Sequence, residues 1–148
     1  MKRRESIIAI VALCAAAGPI ASFAQRQGKV WRVGFLSPRH RSDSNLSQST
    51  DAFLKGMRDL GYVEGKNLVV EWRFADGNAE RLPGMAAELV QLRLDVIVAD
   101  ASPAIRAAQK ATTTIPIVMA TTGDPEGSGF VKSLARPGGN ITGLSNMG

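Results

Sequence analysis

Small polar and acidic side chains stand where the apolar runs of this chain break off: Ser37, Asp76, Asp100, Ser102, Thr121, Thr122 and Asp124. Two chemistries compete for them. Asp76, Asp100 and Asp124, if they converge, resemble the carboxylates that hold Mg²⁺ for phosphoryl transfer. Against this, the first apolar run ends in Ser37 with no acid, and no lysine is evidently placed to meet a phosphate. Asp76 precedes Gly77-Asn78 and Asp124 precedes Pro125, which is ordinary turn chemistry. The other reading is non-catalytic. Ser102 before Pro103 can cap a helix whose N–H groups and dipole favour an anionic group. Thr121 and Thr122 add hydroxyls beside it. Such a rim binds a small polar ligand without activating it. The plainer alternative is that Ser102 caps only its own helix.

Other catalytic patterns are missing. Residues 127–133 superficially suggest a phosphate loop, but Lys132 stands where the second glycine belongs. Gly34-Phe35-Leu36-Ser37 lacks the dinucleotide fingerprint. His40, the only histidine, falls in a polar loop without a second ligand, which reads as a solvated side chain. Asn140-Ile141-Thr142 is a sequon in form only. No catalytic group and no cofactor signature emerges, so the chain does not read as an enzyme.

The elements that must position these residues follow one pattern. Residues 30–36 are a β-branched and aromatic strand stopped by Ser37-Pro38. Leu46, Thr50, Phe53, Met57 and Leu60 recur at helical spacing, with Ser44 or Ser47 as cap and Gly61 as terminator. Residues 68–74 form a second strand whose Glu71 and Arg73 alternate with Val70, Trp72 and Phe74, as on a sheet edge. Leu82, Met85, Ala86, Leu89 and Leu92 mark a second helix, with Pro83 in its first turn. Residues 95–99 are wholly apolar after Asp95, the mark of a central parallel strand. A third helix is expected over 104–112, a fourth strand over 115–120, a short helix over 129–135 and a fifth strand over 141–144. Alternation of this kind with short connections predicts an α/β doubly wound parallel sheet.

The chain has 148 residues, room for one ordinary domain. Its start is different in kind. Met1-Lys2-Arg3-Arg4 is a basic head, residues 7–17 an apolar run, and Ser22-Phe23-Ala24 a cleavage pattern. Residues 1–24 are therefore expected to be a signal peptide cut before Gln25, too short to span a membrane. Cys14, the only cysteine, lies within it; Leu13 before it disfavours a lipoprotein, so the mature chain has no thiol chemistry. Removing Lys2, Arg3, Arg4 and Glu5 takes the net charge from +5 to +3. The remaining cations are not interleaved with aromatics, so no nucleic-acid partner is expected.

With these residues in hand, the chain resembles the periplasmic substrate-binding proteins of ABC transporters, of the tryptophan/tyrosine transport type. The likeness rests on residues 33–37 (VGFLS), 61–68 (GYVEGKNL), 81–83 (RLP), 95–99 (DVIVA), 114–118 (TIPIV), 123–125 (GDP) and 134–145 (LARPGGNITGLS). It implies a type I periplasmic-binding fold of two α/β lobes with a ligand cleft between them. It implies capture of a small-molecule solute, such as an amino acid, for delivery to a permease in the inner membrane. Carried over by position, Ser37, Ser102, Thr121 and Asp124 would face the ligand, with Asp100 and Thr122 less secure. Such proteins are about twice as long, so residues 25–148 correspond to an N-terminal lobe without the second, and a truncated product is expected. A ligand-binding sensory domain and an exported α/β enzyme using the aspartate rim are the alternatives.

Overall fold

A computed structural model describes residues 28–146. The expected leader, its cleavage point and Cys14 lie outside the described residues. The compact unit begins at Trp31. It comprises β1 (Trp31–Ser37), α1 (Ser44–Asp59), β2 (Leu68–Phe74), a 3₁₀ turn (Ala79–Arg81), α2 (Leu82–Gln91), β3 (Val96–Asp100), α3 (Ala101–Ala111), β4 (Ile117–Thr121) and β5 (Ile141–Gly143). The strands form one sheet in the order β2-β1-β3-β4-β5. All four pairings are parallel. The α/β doubly wound expectation is thereby met. The apolar strand β3 lies in the centre and the alternating strand β2 at an edge, as their patterns require.

The two sheet faces are packed differently. One carries Leu36, Ile97, Ala99, Ile117, Met119 and Ile141 under α2 and α3, whose Leu82, Ala86, Leu89, Ala104, Ile105 and Ala108 close the core. Gly34 lets α2 approach, because a side chain there would run into Leu94 and Leu89. The opposite face carries Val33, Phe35, Leu68, Val70 and Val98 beneath Leu46, Phe53, Leu54 and Met57 of α1. There Phe35 lies 5.0 Å from Trp72, and Trp72 stacks on Phe74 at 6.0 Å.

Several local expectations are corrected. Neither Ser44 nor Ser47 caps α1. Asp43 does, accepting from the N–H groups of Asn45 (2.9 Å) and Leu46 (3.3 Å). Ser47 instead donates back to the Asp43 carbonyl at 3.1 Å, inside the first turn. Leu60 leaves the stripe: the helix ends at Asp59 and Leu60 is 75% exposed as its C-cap, with Gly61 following at φ 90°. Residues 129–135 are not a helix but a series of turns. The Pro125 carbonyl accepts from the Phe130 and Val131 N–H groups (2.9 and 3.3 Å), and both side chains are buried in the larger core. That anchoring, with Gly129 at φ 72°, outweighs weak helical propensity.

Residues 136–143 also acquire a physical role. The Asn140 amide donates to the Thr112 and Ile115 carbonyls (3.3 and 2.8 Å), tying the approach to β5 to the approach to β4. Gly143, at φ 139°, presses on the backbone of Met119, where any side chain would collide.

Candidate functional site

In a parallel sheet of this order, β1 and β3 are neighbours, yet the chain leaves their carboxyl ends for opposite faces. The crevice so formed is where open α/β sheets take their ligands. Ser37 ends β1 and Asp100 ends β3. Between Ala99 and Asp100 the pairing with β4 shifts by one residue, so Ala99 faces Met119 while Asp100 faces Thr121. A bulge of this kind re-aims side chains. Here it brings a carboxylate and a hydroxyl together.

Asp100 is the hub. It is 4% exposed, and its carboxylate accepts from Ser37 Oγ at 2.9 Å and Thr121 Oγ1 at 2.8 Å. Arg39 Nε lies 3.3 Å from the oxygen that Ser37 also uses. The Arg39 backbone N–H donates to Ser37 Oγ at 3.2 Å. A charge taken out of water is tolerated only when paired and hydrogen-bonded, and this one has both kinds of partner. Beside it, Ser102 Oγ and Thr122 Oγ1 lie 3.3 Å apart.

The residues singled out from the sequence are therefore placed unequally. Thr121, Ser102 and Thr122 join Asp100 on one rim. Ser37 is there too, but it is wholly buried and spends its hydroxyl inside the network, so it braces the rim from below. Asp124 is not part of the cluster. It is exposed, and its carboxylate accepts from Gly127 N–H at 2.7 Å to close the following turn. Ser102 is not the N-cap of α3. The helix begins at Ala101, two residues before Pro103; Asp100 occupies the cap position without a capping bond, and Ala101 takes φ 65°. The Asp76 carboxylate bonds Arg81 and the Arg41 N–H instead, while its backbone N–H donates to the Arg39 carbonyl at 3.2 Å. The aspartate rim does not assemble: among the described residues no group of three or more His, Cys, Asp or Glu is placed to hold a metal ion.

Two residues escaped the sequence reading. Arg39 carries no motif; the one signal for it is a guanidinium two positions after a strand end. Ser145, just past β5, has a buried Oγ without a hydrogen-bond partner among the described residues. Its neighbour Asn146 donates to the Thr122 carbonyl at 2.8 Å, which holds this segment against the rim.

From Arg39, Asp100 and Thr121 a trough of about 610 Å³ runs onto the less covered sheet face, floored by Phe35, Val98 and Val118 and walled by Phe53 of α1. It has a charged, hydrogen-bonding end and an apolar length. The volume is within the usual range for small-molecule sites.

Comparison with known proteins gives this geometry its context. The family model for ABC transporter substrate binding proteins matches residues 41–148, more than half of the chain. A tyrosine-binding protein of Clostridioides difficile (strain R20291) is 35% identical over 102 residues, covering 69% of this chain and 30% of its own length. A conserved domain protein of Vibrio cholerae superposes with a TM-score of 0.74 at 37% identity, over 79% of this chain and 39% of that one. A substrate-binding protein with adhesive properties from Clostridium difficile, in a ligand-free open structure, gives 0.73 at 28%, over 78% and 39%. An ABC domain from Streptococcus pneumonia in complex with L-Trp gives 0.66 at 30%, over 79% and 39%. The chain thus spans well under half the length of these relatives. Fold and sequence agree on one assignment: the chain belongs to the family of ABC transporter substrate-binding proteins.

Proposed function

We propose that this protein is a solute-binding component of an ABC import system and that its rim grips an amino acid with an apolar or aromatic side chain. The observation that carries the reading is the Asp100 network, which sits at the switch point of the sheet and opens into an apolar trough. A charged head group fits the polar end, and a hydrocarbon or ring fits the length. Two relatives, a tyrosine-binding protein and an ABC domain in complex with L-Trp, support the same class. In this reading residues 25–148 are the N-terminal lobe, Ser102 and Thr121 line the ligand side, and the buried Ser37 and Thr122 brace them. Asp124 keeps the adjacent turn in shape. Residues 1–24 direct export to the periplasm, where the solute is handed to a permease in the inner membrane.

One lobe supplies one wall. Tight sites bury roughly 70–90% of their ligand, and closure around it needs a second jaw. Affinity in the millimolar range is therefore expected for this chain alone. Thermal unfolding of the purified protein with a panel of L-tryptophan, L-tyrosine, L-leucine, L-glutamate and glucose tests the reading. A ligand at about ten times its dissociation constant stabilises by about 1.4 kcal/mol, a rise of several degrees. That rise is expected for the aromatic and branched amino acids and not for glucose. No rise with any amino acid at its solubility limit would overturn the proposal.

A further inference from the structure

We infer that Asp100 is a positioning residue that sets the rim to read both charges of an α-amino acid; the inference rests on the solute-binding reading above. A carboxylate only accepts hydrogen bonds, so the hydroxyls of Ser37 and Thr121, at 2.9 and 2.8 Å, must both donate to it. Ser37 then accepts the Arg39 N–H and is closed off. Thr121, half-buried, has its proton committed and its lone pairs left over. It is thus fixed as an acceptor, backed by a buried negative charge. Arg39 is fixed in the opposite sense. Its Nε is held against Asp100 at 3.3 Å, while the side chain stays 37% exposed. Among the described residues its terminal nitrogens meet no other acceptor, so the fork can take a ligand carboxylate in the paired geometry guanidinium favours.

One buried carboxylate thereby orients an acceptor and a cationic donor side by side. That arrangement is complementary to an ammonium and a carboxylate on the same carbon. Without Asp100, Thr121 could turn its proton outward and Arg39 would lose its anchor. The rim would still be polar, but it would no longer distinguish which charge a ligand carries.

Amide NMR spectra of the 148-residue protein, titrated with L-tryptophan, tryptamine and 3-indolepropionate, test this. Tryptamine lacks the carboxylate and 3-indolepropionate the ammonium. L-tryptophan is expected to shift amides around residues 37–39, 100–102 and 121–122, and to bind about tenfold or more tighter than either analogue, the usual worth of a hydrogen bond to a charged group. In Asp100→Asn the amide must donate to one of the hydroxyls, and the preference for L-tryptophan over both analogues is expected to collapse. Thr121→Val should weaken L-tryptophan and tryptamine but spare 3-indolepropionate; Arg39→Gln should weaken L-tryptophan and 3-indolepropionate but spare tryptamine. These two variants keep Asp100 in place and carry the test if Asp100→Asn does not fold. A purely structural Asp100 would weaken all three ligands alike and preserve their ratios, which overturns the inference. Equal binding of all three by the unaltered protein also overturns it, while leaving the solute-binding reading standing. No shift at the rim with any of them overturns both.

Discussion

The two faces of the sheet solve the same packing problem to different degrees. On one, α2, α3 and the Phe130–Val131 anchor bury a continuous set of side chains, with Ile97, Ile105 and Ile117 all wholly inaccessible. On the other, among the described residues, α1 covers β1 and β2 and leaves the β4 side open. Val118 and Ala120 are only partly buried there, and Leu144 is 70% exposed. The closed face holds the fold together. The half-covered face is the one that the polar rim opens onto. Apolar area exposed beside a polar rim is available to something other than the core.

This contrast can be tested by mutation, most strongly on the closed face. Ile105→Ala leaves a cavity between α3 and the sheet and is expected to cost about 2–5 kcal/mol in urea unfolding. Gly143→Ala comes next, because it adds a methyl at a positive φ against the Met119 backbone. A cost of about 1–3 kcal/mol is expected, together with lost amide protection in β5. Val118→Ala, on the half-covered face, removes two methyl groups that are only partly shielded. It should cost less than about 1.5 kcal/mol in the same unfolding experiment. A loss as large as that of Ile105→Ala would mean that the two faces are equally well packed, and the comparison would fail.

The sheet was legible because its strands are marked by composition. Residues 68–74 are strand over the whole expected span, and β3 announces its central place by having no polar residue between Asp95 and Asp100. Local chemistry was legible where only local partners matter, as with Gly61 after α1. It failed where a nearer or more distant partner intervened. Ser44 and Ser47 are good caps, but Asp43 stands one residue ahead of the first turn and carries an acceptor. Ser102 is a good cap, but the left-handed turn at Ala101 starts the helix early. The 129–135 segment has no pattern that tells its buried Phe130 from a helical one.

The Asp100 network was the least legible part of the site. It joins three strand ends and depends on a one-residue slip in pairing that leaves no mark in the sequence. Its one clue was that the most apolar strand of the chain ends abruptly in an acid. The block 134–145 had the opposite fate. It carried the family likeness most strongly, yet its Asn140 and Gly143 do structural work, tying and seating β5.

The Ser37–Asp100 bond also has a consequence for how the molecule comes into being. It joins residues 63 positions apart, across which α1, β2 and α2 must all have been laid down. Closing so long a loop is entropically costly, and contacts of this separation form late and slowly. Folding followed by stopped-flow hydrogen-exchange labelling should show the Arg39 and Thr121 amides gaining protection no earlier than β3. A chain still being made would then have no rim at all until β4 and its Thr121 have been added.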